Sequence, residues 1–300
     1  AYVLPAESCP PATASCLDKK VGVTYVKDHP QVADTSYGEP ARSMTNLVGP
    51  KQSGVPYGAW LGASSALGDL DGDGFNDLVL GAPHFKTTGN EENAGALYLL
   101  YGGTGGAIPP NPSNIIALET TAASAYQVFT GKEGKVQQQP GDHLGYAVVV
   151  ADFDLDGIAD VAVSAPHRKA PAITSKGEVY LLRGGASMGP ASAAQRPVVD
   201  EADLKIVVNN HENVRLGVSL AVGDVNGDGH PDLIMGTTGA DSVDHPGGVA
   251  VLFGSENMFD GSVEEIAAFP SSGSTGTPRQ LVILKPDPSS PLRNIGGTVQ

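Results

Sequence analysis

The chain has 300 residues, 40% of them hydrophobic, enough to bury a core as one large all-β domain or two smaller ones. Its formal charge of −15 argues against nucleic acid and anionic membrane surfaces as partners, since both are held through basic patches. Glycine (39 residues) and proline (23) punctuate short strands better than they build helices, and no apolar run approaches the ~18 residues of a membrane span, so no membrane insertion is expected.

The opening Ala1-Tyr2-Val3-Leu4-Pro5 has neither a basic n-region nor a long apolar h-region, and reads as an end from which any signal peptide has been removed. Residues 1–43 form an N-terminal extension, whose run at 21–26 can supply a strand that closes a ring. Cys9 and Cys16, the two cysteines of the chain, read as a local disulfide of an oxidising compartment, with two free thiols as the alternative.

From residue 44 the chain repeats itself. The first copy reads Asp69-Leu70-Asp71-Gly72-Asp73-Gly74-Phe75-Asn76-Asp77, followed by Leu78 to Pro83 and His84. The second reads Asp152-Phe153-Asp154-Leu155-Asp156-Gly157-Ile158-Ala159-Asp160 and ends on Pro166-His167. The third reads Asp224-Val225-Asn226-Gly227-Asp228-Gly229-His230-Pro231-Asp232. Upstream of these loops stand Leu61-Gly62, Leu144-Gly145 and Leu216-Gly217; downstream, apolar runs end on Tyr101-Gly102, Arg183-Gly184 and Phe253-Gly254. A further β-rich run precedes each Leu-Gly, at 44–48, 127–130 and 205–208, and a fourth copy is expected to begin at 280–284 and Ile295-Gly296. Each unit therefore carries about four short strands, apolar enough for sheets buried on both faces, as in propeller blades. The stretches 102–114 and 184–197 read as surface loops.

The acidic loops match a hard cation. Carboxylates at positions one, three, five and nine, with glycine at six, aim alternate oxygens inward, and calcium takes six to eight of them. Without a cation, neighbouring carboxylates ~4 Å apart repel by about 1 kcal/mol per pair in water, and by more when partly buried. Three calcium sites are expected, held by Asp69, Asp71, Asp73, Phe75 and Asp77; by Asp152, Asp154, Asp156, Ile158 and Asp160; and by Asp224, Asn226, Asp228, His230 and Asp232. Position seven (Phe75, Ile158, His230) completes each set. Magnesium, which keeps its waters, fits less well, and the glutamate at position twelve of an EF-hand is missing.

These residues resemble the FG-GAP repeats of integrin α-subunit propellers. The family's phenylalanine-glycine stands here as Leu61-Gly62, Leu144-Gly145 and Leu216-Gly217. Its Gly-Ala-Pro is literal at Gly81-Ala82-Pro83, altered at Ser164-Ala165-Pro166 and lost at Gly236-Thr237-Thr238. The Ala-Pro-His endings are most similar to the propeller of the glycosylphosphatidylinositol-specific phospholipase D family. The resemblance implies an all-β fold, with residues 44–300 as four-stranded antiparallel propeller blades carrying calcium loops, three complete units and the start of a fourth, in a complete or partial ring. Members usually have seven blades, so other chains or further sequence would complete the ring; a closed four-bladed ring is the alternative.

No catalytic constellation is visible. The seven histidines show no metal-ligand spacing, and the equivalent positions of His84 and His167 favour a structural role. In the phospholipase family hydrolysis belongs to a separate zinc-binding, largely helical domain, which does not fit ahead of residue 44. The expected function is an extracellular or secreted, calcium-stabilised binding module for a protein or glycan partner, in adhesion or recognition. The alternatives are the non-catalytic propeller part of a phospholipase-D-like hydrolase and a structural subunit of an extracellular assembly. Trp60, Tyr57 and Tyr126 are candidates for aromatic ligand contacts, or else pack between blades.

Overall fold

A computed structural model describes residues 46–48, 59–88, 92–103, 115–118, 126–132, 141–168, 176–188, 195–209, 213–238, 247–259, 263–267 and 281–284. Cys9, Cys16, Tyr57, the run at 21–26 and Ile295-Gly296 lie outside the described residues. The chain divides into two compact units, residues 1–46 with 111–115 and residues 47–110 with 116–300. The first falls almost wholly outside the described residues; the second holds the repeats.

The fold is all-β, built of propeller-type blades. β1 (Asn46–Val48) precedes the first Leu-Gly. β2 (Ser64–Gly68), β3 (Asp77–Ala82) and β4 (Ala96–Leu100) then run antiparallel, β2 to β3 closing at Gly68↔Asp77, so that the acidic stretch between them is a hairpin loop. The short β5 (Ile115–Ala117) pairs with β1 in a separate two-stranded sheet. β6 (Tyr126–Thr130) completes the first blade antiparallel to β4. The second blade repeats the plan with β7 (Val148–Ala151), β8 (Asp160–Ala165) and β9 (Glu178–Leu182). After β10 (Gln195–Pro197) and the single-turn α1 (Val198–Glu201), its fourth strand is β11 (Leu204–Asn209). The third contains β12 (Ser219–Gly223), β13 (Asp232–Thr237) and β14 (Gly248–Leu252); β15 (Val263–Ala267) follows, and β16 (Leu281–Leu284) pairs with β14.

Two details depart from the sequence reading. The β-rich runs that open the second and third repeats belong to the preceding blades: β6 pairs with β4 and β11 with β9, and β16, expected to begin a fourth copy, closes the third sheet. Sequence repeat and blade are thus out of phase by one strand. Second, the 184–197 stretch is more than a surface loop. Its end forms β10, which adds to β6 in parallel, and β15 adds to β11 in the same way, so the first two sheets have five strands.

The cores lie between the sheets. Strand side chains alternate faces, and both faces of the middle strands are buried, as the burial of every residue in β4, β8 and β9 shows. Val79, Leu97 and Leu99 of the first blade meet Val161, Val163, Tyr180 and Leu182 of the second. Ala162, Val179, Leu181 and Ile206 on the other face of that blade meet Leu220, Leu233, Met235 and Leu252 of the third. This two-faced burial requires runs such as Leu97-Tyr98-Leu99-Leu100, apolar at every position.

Candidate metal centre: three acidic hairpin loops

Each loop is a network in which carboxylates accept main-chain N–H groups. In the first, the Gly72 and Gly74 N–H groups donate to Asp69 Oδ1 and Oδ2 at 2.9 and 2.8 Å. The N–H of Asp73 donates to Asp71 and that of Phe75 to Asp73, at 3.1 and 2.8 Å. The second loop repeats the bonds from Gly157 to Asp152, from Asp156 to Asp154 and from Ile158 to Asp156, but Asp156 at position five, not the residue at position four, makes the other bond to Asp152. The third repeats them from Gly227 and Gly229 to Asp224, from Asp228 to Asn226 and from His230 to Asp228. Spacing by two residues is what this geometry needs, because each Asx side chain caps the N–H two positions on.

Position nine does a different job. Asp77, Asp160 and Asp232 are fully buried. One oxygen of each accepts from the second loop residue (Leu70, Phe153, Val225) at 2.7–2.9 Å. The other accepts from the glycine just past the third strand (Gly102, Gly184, Gly254) at 2.8–3.1 Å. The carboxylate therefore ties the loop, the second strand and the end of the third strand together. These glycines are functional positions that sequence reasoning quoted as part of the repeat without assigning a role. A Cβ there would meet the carbonyl oxygen of Asn76 at 2.4 Å, of Ala159 at 2.3 Å or of Pro231 at 2.3 Å.

Charge is concentrated without full compensation. Burial, against the pull of the Gly184 and Phe153 N–H groups and helped by Asp154 and Asp156, pushes the Asp160 carboxyl up to about 7. Burial raises Asp77 and Asp71 as well, with the other carboxylates of their loop adding to it. In the more open third loop the His230 N–H and the Asn226 amide hold Asp228 below the usual carboxylate range. Oxygens of Asp69, Asp71 and Asp77 lie within 4.8 Å of one another, as do those of Asp152, Asp154 and Asp156, so these two groups can hold a metal ion. Among the described residues no such group forms in the third loop, where Asn226 stands at position three. Oxygen donors this close together fit a hard divalent cation, and Asp69, Asp71 and Asp77 in the first loop and Asp152, Asp154 and Asp156 in the second are the residues that would hold it.

The second loop differs in two ways. Leu155 takes the left-handed conformation (φ 57°) that Gly72 and Gly227 supply in the other loops. The Arg183 guanidinium reaches into the loop, its Nε 2.8 Å from Asp154 Oδ2 and its Nη2 2.9 Å from Asp156 Oδ2.

At the other end of the strands the histidines make a row of rings. Trp60 lies edge-on to His84 (centroids 4.2 Å), His84 to His143 (4.9 Å), and His143 is tilted against His167 (4.6 Å). His84 Nδ1 is 3.0 Å from Asn93 Oδ1, and His143 Nε2 is buried with no hydrogen-bond partner among the described residues. Burial, then the neighbouring His167 and His84, lower His143 to about 3. Of the aromatic candidates, Trp60 is half exposed, whereas Tyr126 stacks on Tyr98 and donates its hydroxyl to the Leu118 carbonyl at 2.9 Å, a packing role. No helix among the described residues is long and apolar enough to cross a membrane.

Comparison with known proteins agrees with the geometry. The FG-GAP repeat model matches residues 61–100, 144–182 and 216–252, the three segments that span the hairpin loops. The chain is 34% identical over 198 residues to the human phosphatidylinositol-glycan-specific phospholipase D, covering 66% of this chain and 21% of that protein. It is 30% identical over 222 residues to its Bos taurus counterpart (73% and 24%), and 27% identical over 184 residues to integrin alpha-3 of Cricetulus griseus (61% and 15%). The chain thus spans less than a quarter of the length of these relatives. The three acidic hairpins are the loops of FG-GAP repeats, and the chain is an FG-GAP repeat protein of the propeller type.

Proposed function

We propose that the chain is a calcium-stabilised, extracellular binding module that presents a protein or glycan ligand site on a rigid set of blades. The observation that carries this reading is the threefold recurrence of one loop, with matching Asx bonds at most positions and the same buried position-nine tie. Crowding carboxylates into each loop, with Asp77, Asp154, Asp160 and Asp232 buried, is unfavourable for the metal-free chain, and a divalent cation offsets it. Three ions would add six positive charges, taking −15 to −9. The test is binding of the calcium-loaded chain to a glycan array and to immobilised extracellular proteins, each repeated in excess chelator. Calcium-dependent binding to one class is the expected result; a folded, loaded chain that binds neither overturns the reading.

A second reading, the non-catalytic propeller part of a larger hydrolase, is favoured by the 34% identity to a phosphatidylinositol-glycan-specific phospholipase D. The intact mass of the natural polypeptide separates the two. A mass far above 30.6 kDa, with phosphodiesterase activity in the same preparation, supports the hydrolase.

A further inference from the structure

The first and second loops carry the same four carboxylates at the same spacing, yet only the second is entered by a basic side chain from the end of the third strand. Tyr101 and Phe253 hold that position in the other repeats. In the second, Arg183 spans Asp154 and Asp156 at 2.8 and 2.9 Å, the carboxylates at positions three and five. Its main-chain N–H donates to Asp203 Oδ2 at 2.8 Å, and its guanidinium carbon lies 6.0 Å from the centre of the Phe259 ring. The Asp203 bond fixes the backbone from which the side chain reaches, and the Phe259 ring flanks the guanidinium. The Asp154 carboxylate is almost fully buried beneath it, at 2% exposure, while the Arg183 side chain is 45% exposed and free to swing outward.

We infer that Arg183 is a built-in competitor for calcium in the second loop: it occupies the carboxylates at positions three and five when the ion is absent, and must withdraw when the ion binds. This rests on the calcium reading above. A guanidinium that bridges two carboxylates neutralises part of their repulsion and holds their oxygens in place. The second loop then keeps its shape without metal, and an entering ion replaces an ion pair instead of relieving bare repulsion. Calcium affinity follows the charge and rigidity of the ligand set, so the second loop takes calcium more weakly than the first. Charge count alone does not rank it against the third loop, which has three carboxylates and Asn226.

Calorimetric calcium titration of the full chain, alongside Arg183→Gln and Arg183→Tyr, tests this. The expected result is that both variants tighten one site by about tenfold, a shift of the size that ligand charge and site rigidity set, and leave the others unchanged. The gain should vanish when Asp154→Asn is added. A separate readout is thermal: the calcium-induced rise in Tm should be larger in Arg183→Gln than in the parent chain. Unchanged affinities in both variants, or loss of a site, overturn the inference and leave the calcium reading intact. A parent chain that takes up no calcium overturns both.

Discussion

At the scale of single residues, the buried titratable groups have opposite needs. The position-nine aspartates are buried carboxylates, each held by two main-chain N–H donors. His143 sits between two other imidazoles and stays neutral. Its folded value near 3 is below the ordinary value of 6.5, so between those limits the unfolded chain binds more protons than the folded one. Stability from this residue is fully present above pH 6.5 and is lost as pH falls towards 3. Asparagine also tolerates the left-handed backbone of residue 143 (φ 56°). His143→Asn should therefore flatten the acid limb of a plot of Tm against pH, and an unchanged limb would show that His143 does not contribute to it. The sequence placed His84 and His167 at equivalent positions, which pointed to structure. It could not show that His143, from the start of another repeat, stands between them, because that contact is made only when two blades pack.

At the scale of elements, the hairpin loop and the glycine after the third strand form one unit. Gly184→Ala places a methyl group 2.3 Å from the Ala159 carbonyl and disturbs the bond from Gly184 to Asp160. A loss of about 2–3 kcal/mol is expected from such overpacking, read by denaturant unfolding. Leu155→Gly works in the other direction. It relieves a left-handed leucine, a strain of about 1–2 kcal/mol, against the larger unfolded-state entropy of glycine, for a net gain of up to about 1 kcal/mol in chelator. The loss of stability in that variant would mean that the half-exposed leucine packs usefully. The loops and antiparallel strands were legible in the sequence because Asp-Gly spacing and apolar runs are local signals. The parallel additions β10 and β15 were not. They are three and five residues long, and their partners β6 and β11 lie more than fifty residues away in sequence.

At the scale of the whole molecule, stability comes from cores shared between neighbouring blades, so each blade depends on the next. Under the proposed function, bound calcium would act on the same cooperative structure. Each occupied site adds about 2.7 kcal/mol when free calcium is 100 times its dissociation constant. Excess chelator should lower the Tm of the chain by many degrees, and an identical melt with and without chelator would sink the calcium reading. The one-strand offset between repeat and blade also decides where this chain can be divided. A cut placed at the boundary of a sequence repeat takes the closing strand from the blade before it and leaves an unpaired edge on β4 or β9. A duplication that copies a whole repeat, however, brings with it the strand that closes its predecessor. Such an array can lengthen by one repeat at a time without exposing an open blade inside it, each seam being stitched by the newcomer.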